Sequence, residues 1–334
     1  MMNKDKMGRW EFVLLAVILA EFVIFGLANP KFLMPRILLG SVNDIISICI
    51  ISLFVTLVMI TGGIDIQVGS IVGLTSITLG VLWQSFGINI WISSLLAVVL
   101  AALCGALSGF IVAYIKVQAM IVTLGGGFLY SGLALAISNI SGSASYKGIS
   151  GFPASFLSFS KFRLFGFIPS QLIVFIILTI LLYIVLEKTK YGRKIFLVGV
   201  NENTARFCGI NTRLVIMSTY ILAAISAAIA GIILTSYIGT SKSDIGSTFT
   251  LPIITSVVLG GTLSTGGKGS VIGTALASVV IGLMRFGLPL CFKVNNQYLD
   301  IPLGLLLLII IVARSLFKGQ FNFRKLKFFS TKAN

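Results

Sequence analysis

Residues 44–73 read DIISICIISLFVTLVMITGGIDIQVGSIVG. From Asp44 to Thr61 the run is almost wholly apolar, about the length that carries an α-helix across ~30 Å of hydrocarbon. A Gly-Gly pair and a short polar stretch centred on Asp65 interrupt it, and a second apolar run begins at Val68. Glycines on both sides of Asp65 let the backbone leave helical geometry without a Cβ clash. Freed backbone groups at membrane depth are tolerated only against protein or a watery cavity. A charged side chain at the bilayer centre costs at least ~2.5–3.5 kcal/mol. Asp65 is therefore either a solvated loop residue at the interface or a residue held for function.

The same alternation of apolar runs and short polar joints extends over the chain. Runs fall at about 10–28, 44–61, 68–86, 91–115, 119–139, 169–186, 214–238, 250–263, 269–288 and 300–317. This predicts an all-α, polytopic transmembrane helical bundle of about ten spans, a single membrane domain over 1–334. The run 250–263 is short and reads as a broken or re-entrant segment. Of 334 residues, 57% are hydrophobic and 10% charged, far below the ~25% charge of a soluble domain. The basic stretch at Lys4, Lys6 and Arg9 precedes an apolar run, as in a signal peptide. That run is longer than such a region and contains Glu21, so it reads as a retained first span.

The net charge of +16 does not point to nucleic acid, because the basic residues sit between apolar runs and at the termini. With the N-terminus cytoplasmic, 17 of the 25 Lys and Arg fall on the cytoplasmic side, 7 outside, and Arg285 within a helix. This is the membrane-protein bias, and it makes both termini cytoplasmic. The chain has no histidine, and Cys49, Cys104, Cys208 and Cys291 are scattered without metal spacing. No paired-carboxylate or nucleophile motif is present, so an enzyme is not expected, nor any cofactor or metal.

Two connections are long, one around 140–168 outside and one over 187–213 inside. The second reads EKTKYGRKIFLVGVNENTARFCGINTR. Asn201 or Asn203 suits a helix N-cap, Thr204–Cys208 one or two turns, and Gly209 the C′ position that ends them. A basic tail occupies 318–334. There is also an internal similarity. LVMITGGIDIQVGSIVG (57–73) and SVVLGGTLSTGGKGSVIG (256–273) share an apolar run, a Gly-Gly pair, a polar stretch and Gly-Ser, as transporter halves often do. The second copy is no phosphate loop, since Lys268 is followed by glycine and Thr262 stands where the motif needs glycine. If this protein uses ATP, another chain hydrolyses it. An ion-coupled secondary transporter would instead need an intramembrane acid, with Asp65 or Asp44 the candidates.

Four ordered blocks resemble the permeases of the ribose, xylose and galactose class of ABC importers. They are GGIDIQVGS (62–70), KVQAMIVTLG (116–125), GRKIFLVGVNENTARFCGIN (192–211) and VVLGGTLSTGGKGSVIGT (257–274). Gln118 and Ala119 replace the usual prolines. GISGFP (148–153) and SKSDIG (241–246) are most similar to the autoinducer-2 branch of that class, with a ribose or other pentose permease as the alternative. The resemblance implies a permease subunit of a binding-protein-dependent importer in the bacterial inner membrane. Its partners would be a second permease chain, ATP-binding subunits, a periplasmic solute-binding protein and the lipid bilayer. Glu202, Asn203, Ala205, Arg206 and Gly209 would belong to the segment that docks on the ATPase. A polar, uncharged solute calls for hydroxyls and backbone groups, so Gly62, Gly63, Asp65, Gly69, Ser70 and Thr123 are the expected translocation path.

Overall fold

The computed structural model describes residues 4–140, 148–166 and 168–317; the tail 318–334 lies outside them. Every apolar run forms a helix. In chain order these are α1 (Lys4–Ala28), α2 (Pro35–Ile60), α3 (Val68–Gln84), α4 (Ile90–Phe110), α5 (Ala119–Ile140), α6 (Ala154–Lys161) and α7 (Ser170–Lys188). Then follow α8 (Lys190–Val200), α9 (Glu202–Phe207), α10 (Thr212–Ile238), α11 (Thr250–Leu259), α12 (Val271–Phe292) and α13 (Asp300–Phe317). Strand β1 (Ile149–Ser150) pairs with β4 (Thr240–Ser241), and β2 (Arg163–Leu164) with β3 (Ile168–Pro169), both antiparallel.

Among the described residues, seven helices are long and apolar enough to cross a membrane; α3, α11 and residues 300–310 of α13 are shorter apolar helices. The chain is a polytopic helical membrane protein. Burial sorts the helices into an inner and an outer set. The most apolar window of α2 is 94% buried, that of α1 only 11%. Helix α2 is apolar on all sides because it is surrounded on all sides, by α10, α12, α11 and α7. The outer helices present Phe12, Leu27, Leu103, Ile121, Phe128 and Leu305 outward. Each such side chain forgoes about 1.5–3 kcal/mol of burial in water; lipid removes that penalty.

Small residues bring the inner helices together. A methyl group on Gly105 of α4 would stand 2.6 Å from Ala224 Cβ and 2.7 Å from the Tyr220 carbonyl oxygen of α10. One on Gly109 would stand 2.9 Å from the Met217 carbonyl oxygen. Core hydroxyls spend their protons on nearby acceptors: Ser52 donates to the Ile48 carbonyl, and Thr56 to the Ser52 carbonyl and to Thr274 Oγ1 at 2.9 Å. Helix α1 runs parallel to α12. Ser270 donates to Glu11 at their N-terminal ends, and Asn29 donates to the Leu290 carbonyl at their C-terminal ends. Between these ends, Glu21 Oε2 and Arg285 Nη1 are buried without hydrogen-bond partners among the described residues. Arg285 makes no ion pair among the described residues, although Asp300 lies within its electrostatic reach.

The long connection around 140–168 is no bare loop. From Gly148 to Ser170 it carries α6, and its aromatics pack on the ends of α3 and α4, Trp83 on Phe152 at 5.0 Å and Trp91 on Phe159 at 5.7 Å. If close α4–α10 contact holds the bundle, overpacking in Gly105→Leu should destabilise the detergent-purified protein by about 1–3 kcal/mol and lower its melting temperature. An unchanged melting curve would show that this contact does not bear on stability.

Candidate functional site

Helix α2 ends in a Schellman motif. The Gly63 N–H donates to the Val58 carbonyl and the Gly62 N–H to the Met59 carbonyl, both at 3.0 Å. Gly62 occupies the left-handed C′ position with φ +87°, which only glycine adopts freely. Helix α11 ends in the same way. The Thr262 N–H donates to the Val257 carbonyl, the Gly261 N–H to the Val258 carbonyl, and Gly261 has φ +104°. The internal similarity is thus real at the two Gly-Gly turns. It fails at Gly-Ser: Ser270 N-caps α12 by accepting from the Gly273 N–H, whereas Ser70 lies inside α3.

Past the first turn the chain stays out of helix from Gly62 to Gln67, and its backbone groups are satisfied from several directions. Thr123 of α5 donates to the Ile64 carbonyl at 3.0 Å, and Thr250 of α11 to the Ile66 carbonyl at 3.2 Å. Asp65 Oδ1 accepts from the Gln67 N–H at 3.1 Å. The Gln67 side chain accepts from Ser108 of α4, which also shares a hydrogen bond with the Tyr130 hydroxyl of α5. Asp65, Gln67 and Tyr220 are fully buried. Asp65 Oδ2, Gln67 Nε2 and the Tyr220 hydroxyl have no hydrogen-bond partner among the described residues. Gly63 is glycine because Tyr220 fills the space a side chain would need: a methyl there would be 2.3 Å from the hydroxyl oxygen.

A second irregular stretch lies beside α3. Segment 240–249 runs along its small-residue face: Ser241 donates to the Ser76 carbonyl, and methyls on Gly73 and Gly69 would stand 2.0 Å from the Ser243 and 2.5 Å from the Gly246 carbonyl oxygens. With ten residues, α11 rises only ~15 Å. The weak run at 250–263 is therefore a short helix preceded by a series of turns over 243–248 that packs on protein, where such backbone is allowed. Asp244, Ser247 and Thr248 of this segment are exposed, as is Ser131 of α5, which donates to Ser70 Oγ at 2.9 Å.

The connection between α7 and α10 is folded as α8 and α9. Asn201 caps α9 by accepting from the Thr204 N–H at 2.9 Å. Gly209, with φ +76°, closes α9 with its own Schellman pair, Ile210 N–H to the Ala205 carbonyl and Gly209 N–H to the Arg206 carbonyl. Glu202 accepts from Lys116, which closes the π-helical stretch Ile111–Ile115 continuing α4, and from Thr212 of α10, which ties the start of α9 to both. Burial alone would raise the Glu202 carboxyl; the hydrogen bonds from Lys116 and Thr212 and the nearby charges of Lys116 and Arg206 outweigh it and hold it below its ordinary value. The Lys116–Glu202 pair is thus present above the usual carboxylate range and lost as pH falls through the lowered value. Ala205 faces inward, Asn203 and Arg206 outward, and Phe207 is 92% exposed. A cleft of about 530 Å³ opens beside α9, lined by Arg206, Gly209, Arg213 and Tyr114 among others.

The structure thus gathers Gly62, Gly63, Asp65 and Thr123 into the first break, with Gly69 against segment 240–249. Of the six, Ser70 is partly exposed and Gly62 is exposed at the turn, while the other four are buried. Asp44, the other candidate acid, is exposed on α2. Sequence reasoning missed Gln67, Ser108, Tyr130 and Tyr220, which meet only in three dimensions. The exposed polar residues of 247–248 were also not singled out.

A family model described as "Branched-chain amino acid transport system / permease component" matches residues 37–311. The autoinducer 2 import system permease protein LsrD of Photorhabdus laumondii is 40% identical over 315 residues, 94% of each chain. The protein of the same name from Escherichia coli is 40% identical over 306 residues, 92% of each chain, as is that of Shigella flexneri. No solved structure matches the chain.

The geometry separates two roles for Asp65. Asp65→Asn keeps the acceptor for the Gln67 N–H and should leave the melting temperature and transport close to wild type. Asp65→Leu removes it and should destabilise the protein by about 1–3 kcal/mol. A folded Asp65→Asn protein without transport would mean that the acid itself takes part.

Proposed function

This chain belongs to the branched-chain amino acid transport system / permease component family, and on that premise we propose that it is the membrane permease subunit of a binding-protein-dependent ABC importer for autoinducer-2. The observation that carries the substrate is the identity of 40% over more than nine-tenths of the chain with proteins named for that import. As a permease it is a transport subunit of the membrane, and ATP is hydrolysed by a separate chain.

The end of the bundle holding α8, α9 and the two Gly-Gly turns is the cytoplasmic end, and the β1–β4 end is periplasmic. That orientation makes both termini cytoplasmic and gives ten crossings, with 240–259 crossing once, first through turns and then as helix. A solute-binding protein delivers at the β1–β4 end. A second, similar permease chain closes the path on the side where Ser70, Ser131, Asp244, Ser247 and Thr248 meet solvent. Hydroxyls at that depth suit a small polyhydroxylated furanosyl solute.

The ATPase docks on α9. An exposed Phe207, with Val200 and Leu197 also exposed and the cleft at Arg206 beside them, offers an apolar anchor and a cation on a helix fixed at both ends. This supports Glu202, Asn203, Ala205, Arg206 and Gly209 as the coupling segment, with Glu202 and Ala205 holding the helix and Asn203 and Arg206 facing the partner.

Reconstituted with its partners, the importer should take up autoinducer-2 with ATP; uptake of ribose instead, or uptake by this chain alone under an imposed proton gradient, would overturn the assignment. Arg206→Glu and Gly209→Pro should each reduce co-purification of the ATPase without altering membrane insertion. Proline cannot adopt the positive φ at Gly209. Undiminished association in both variants would remove α9 from the docking surface.

A further inference from the structure

Gly199, one residue from the end of α8, stands where three segments meet backbone to backbone. A methyl group on it would lie 1.8 Å from the Ile60 carbonyl oxygen and 2.6 Å from the Gly267 nitrogen. Those two atoms are themselves joined, the Gly267 N–H donating to the Ile60 carbonyl at 2.8 Å. Gly266, at φ +83°, closes the remaining gap: a methyl there would stand 2.9 Å from the Gly62 nitrogen and 3.0 Å from the Gly199 carbonyl oxygen. The last residue of α2, the glycine loop before α12 and the end of α8 therefore touch with no side chain between them. Two residues beyond Gly199, Asn201 caps α9.

We propose that Gly199 is the positioning residue through which a movement of α9 reaches both glycine breaks at once. This rests on the reading that α9 docks on the ATPase. Side chains at a contact absorb small displacements by changing rotamer; three backbones in van der Waals contact cannot. A shift of α9 is carried through one intervening residue to the end of α8, which presses on Ile60 and Gly267 together. Each of those positions borders a non-helical joint, the first between α2 and α3, the second between α11 and α12. Joints of this kind take up rigid-body motion of the helices they connect. The α3 and α11 arms also flank segment 240–249, so both sides of that segment would move on one signal.

The test uses the complete importer in lipid nanodiscs and measures amide hydrogen exchange over residues 60–66 and 262–268. Adding ATPase with a non-hydrolysable nucleotide should change exchange in both segments together. In Gly199→Ala the ATPase should still co-purify, but the paired exchange response should vanish and autoinducer-2 uptake should fall about tenfold or more. Hydrolysis by that variant should no longer respond to the loaded binding protein, a loss that mere instability would not produce while the complex stays intact. Wild-type segments that stay silent with ATPase bound would overturn the proposal, as would full uptake by Gly199→Ala. Should that variant fail to assemble, the wild-type exchange decides alone. Failure of the docking reading is distinguished by Arg206→Glu: if it leaves ATPase binding unchanged, the ATPase sits elsewhere, whatever the two segments do.

Discussion

The structure depends on how a chain that leaves helical geometry inside a bundle satisfies its own peptide groups. Water is not available to do it, and each orphaned buried group would cost several kcal/mol. At the first break the answers are specific. Gly62 and Gly63 turn their N–H groups back onto α2, Thr123 and Thr250 supply protons to the Ile64 and Ile66 carbonyls, and Asp65 accepts from the Gln67 N–H. Those donors come from α5 and α11, elements far apart in sequence. The break therefore fixes where α3, α5 and α11 stand relative to α2, and the buried set of Gln67, Ser108 and Tyr130 extends the same constraint to α4.

Such a joint holds position without being rigid. Helices α4 and α10 pack through Gly105, Gly109 and Ala224 and have little room to shift against one another. The two Gly-Gly turns are held mainly by hydrogen bonds, which can exchange partners at lower cost than a packed core can be opened. Segment 240–249 is intermediate: its backbone is pressed on the Gly69–Gly73 face, while Asp244, Ser247 and Thr248 point away.

Much of this was legible in the residues. Ten apolar runs mark ten helices, since lipid and a tightly packed bundle both select the same side chains. The caps of α9 were legible as well, because Asn201 and Gly209 are read by local rules that need no tertiary context. The repeated Gly-Gly turns were visible for the same reason. What stayed hidden is long-range. SKSDIGST has the composition of a surface loop, and its course inside the bundle shows only in the spacing of Gly69, Gly73 and Gly80 on α3. The matched Gly-Ser pairs misled, because the second break is longer than the first and puts Ser270 at a cap while Ser70 is within a helix. Nothing local marks Gly199 as a residue on which two other backbones close.

The distribution of polar groups bears on how one scaffold serves different solutes. In GGIDIQVGS the carboxyl, the amide and the flanking carbonyls face inward and are spent largely on holding the break; Ser70 alone turns toward the partly open side. A solute on the proposed path would meet Ser70 and Ser131 and the outward residues of 243–248 rather than Asp65. Changing those outward residues alters the chemistry offered to the solute and leaves the hydrogen bonds of the break untouched. Changing the inward ones moves α3, α5 and α11 for every solute alike. The signature stretch that decides the fold is for that reason a poor place to look for selectivity, and the loop-like stretch beside it a good one.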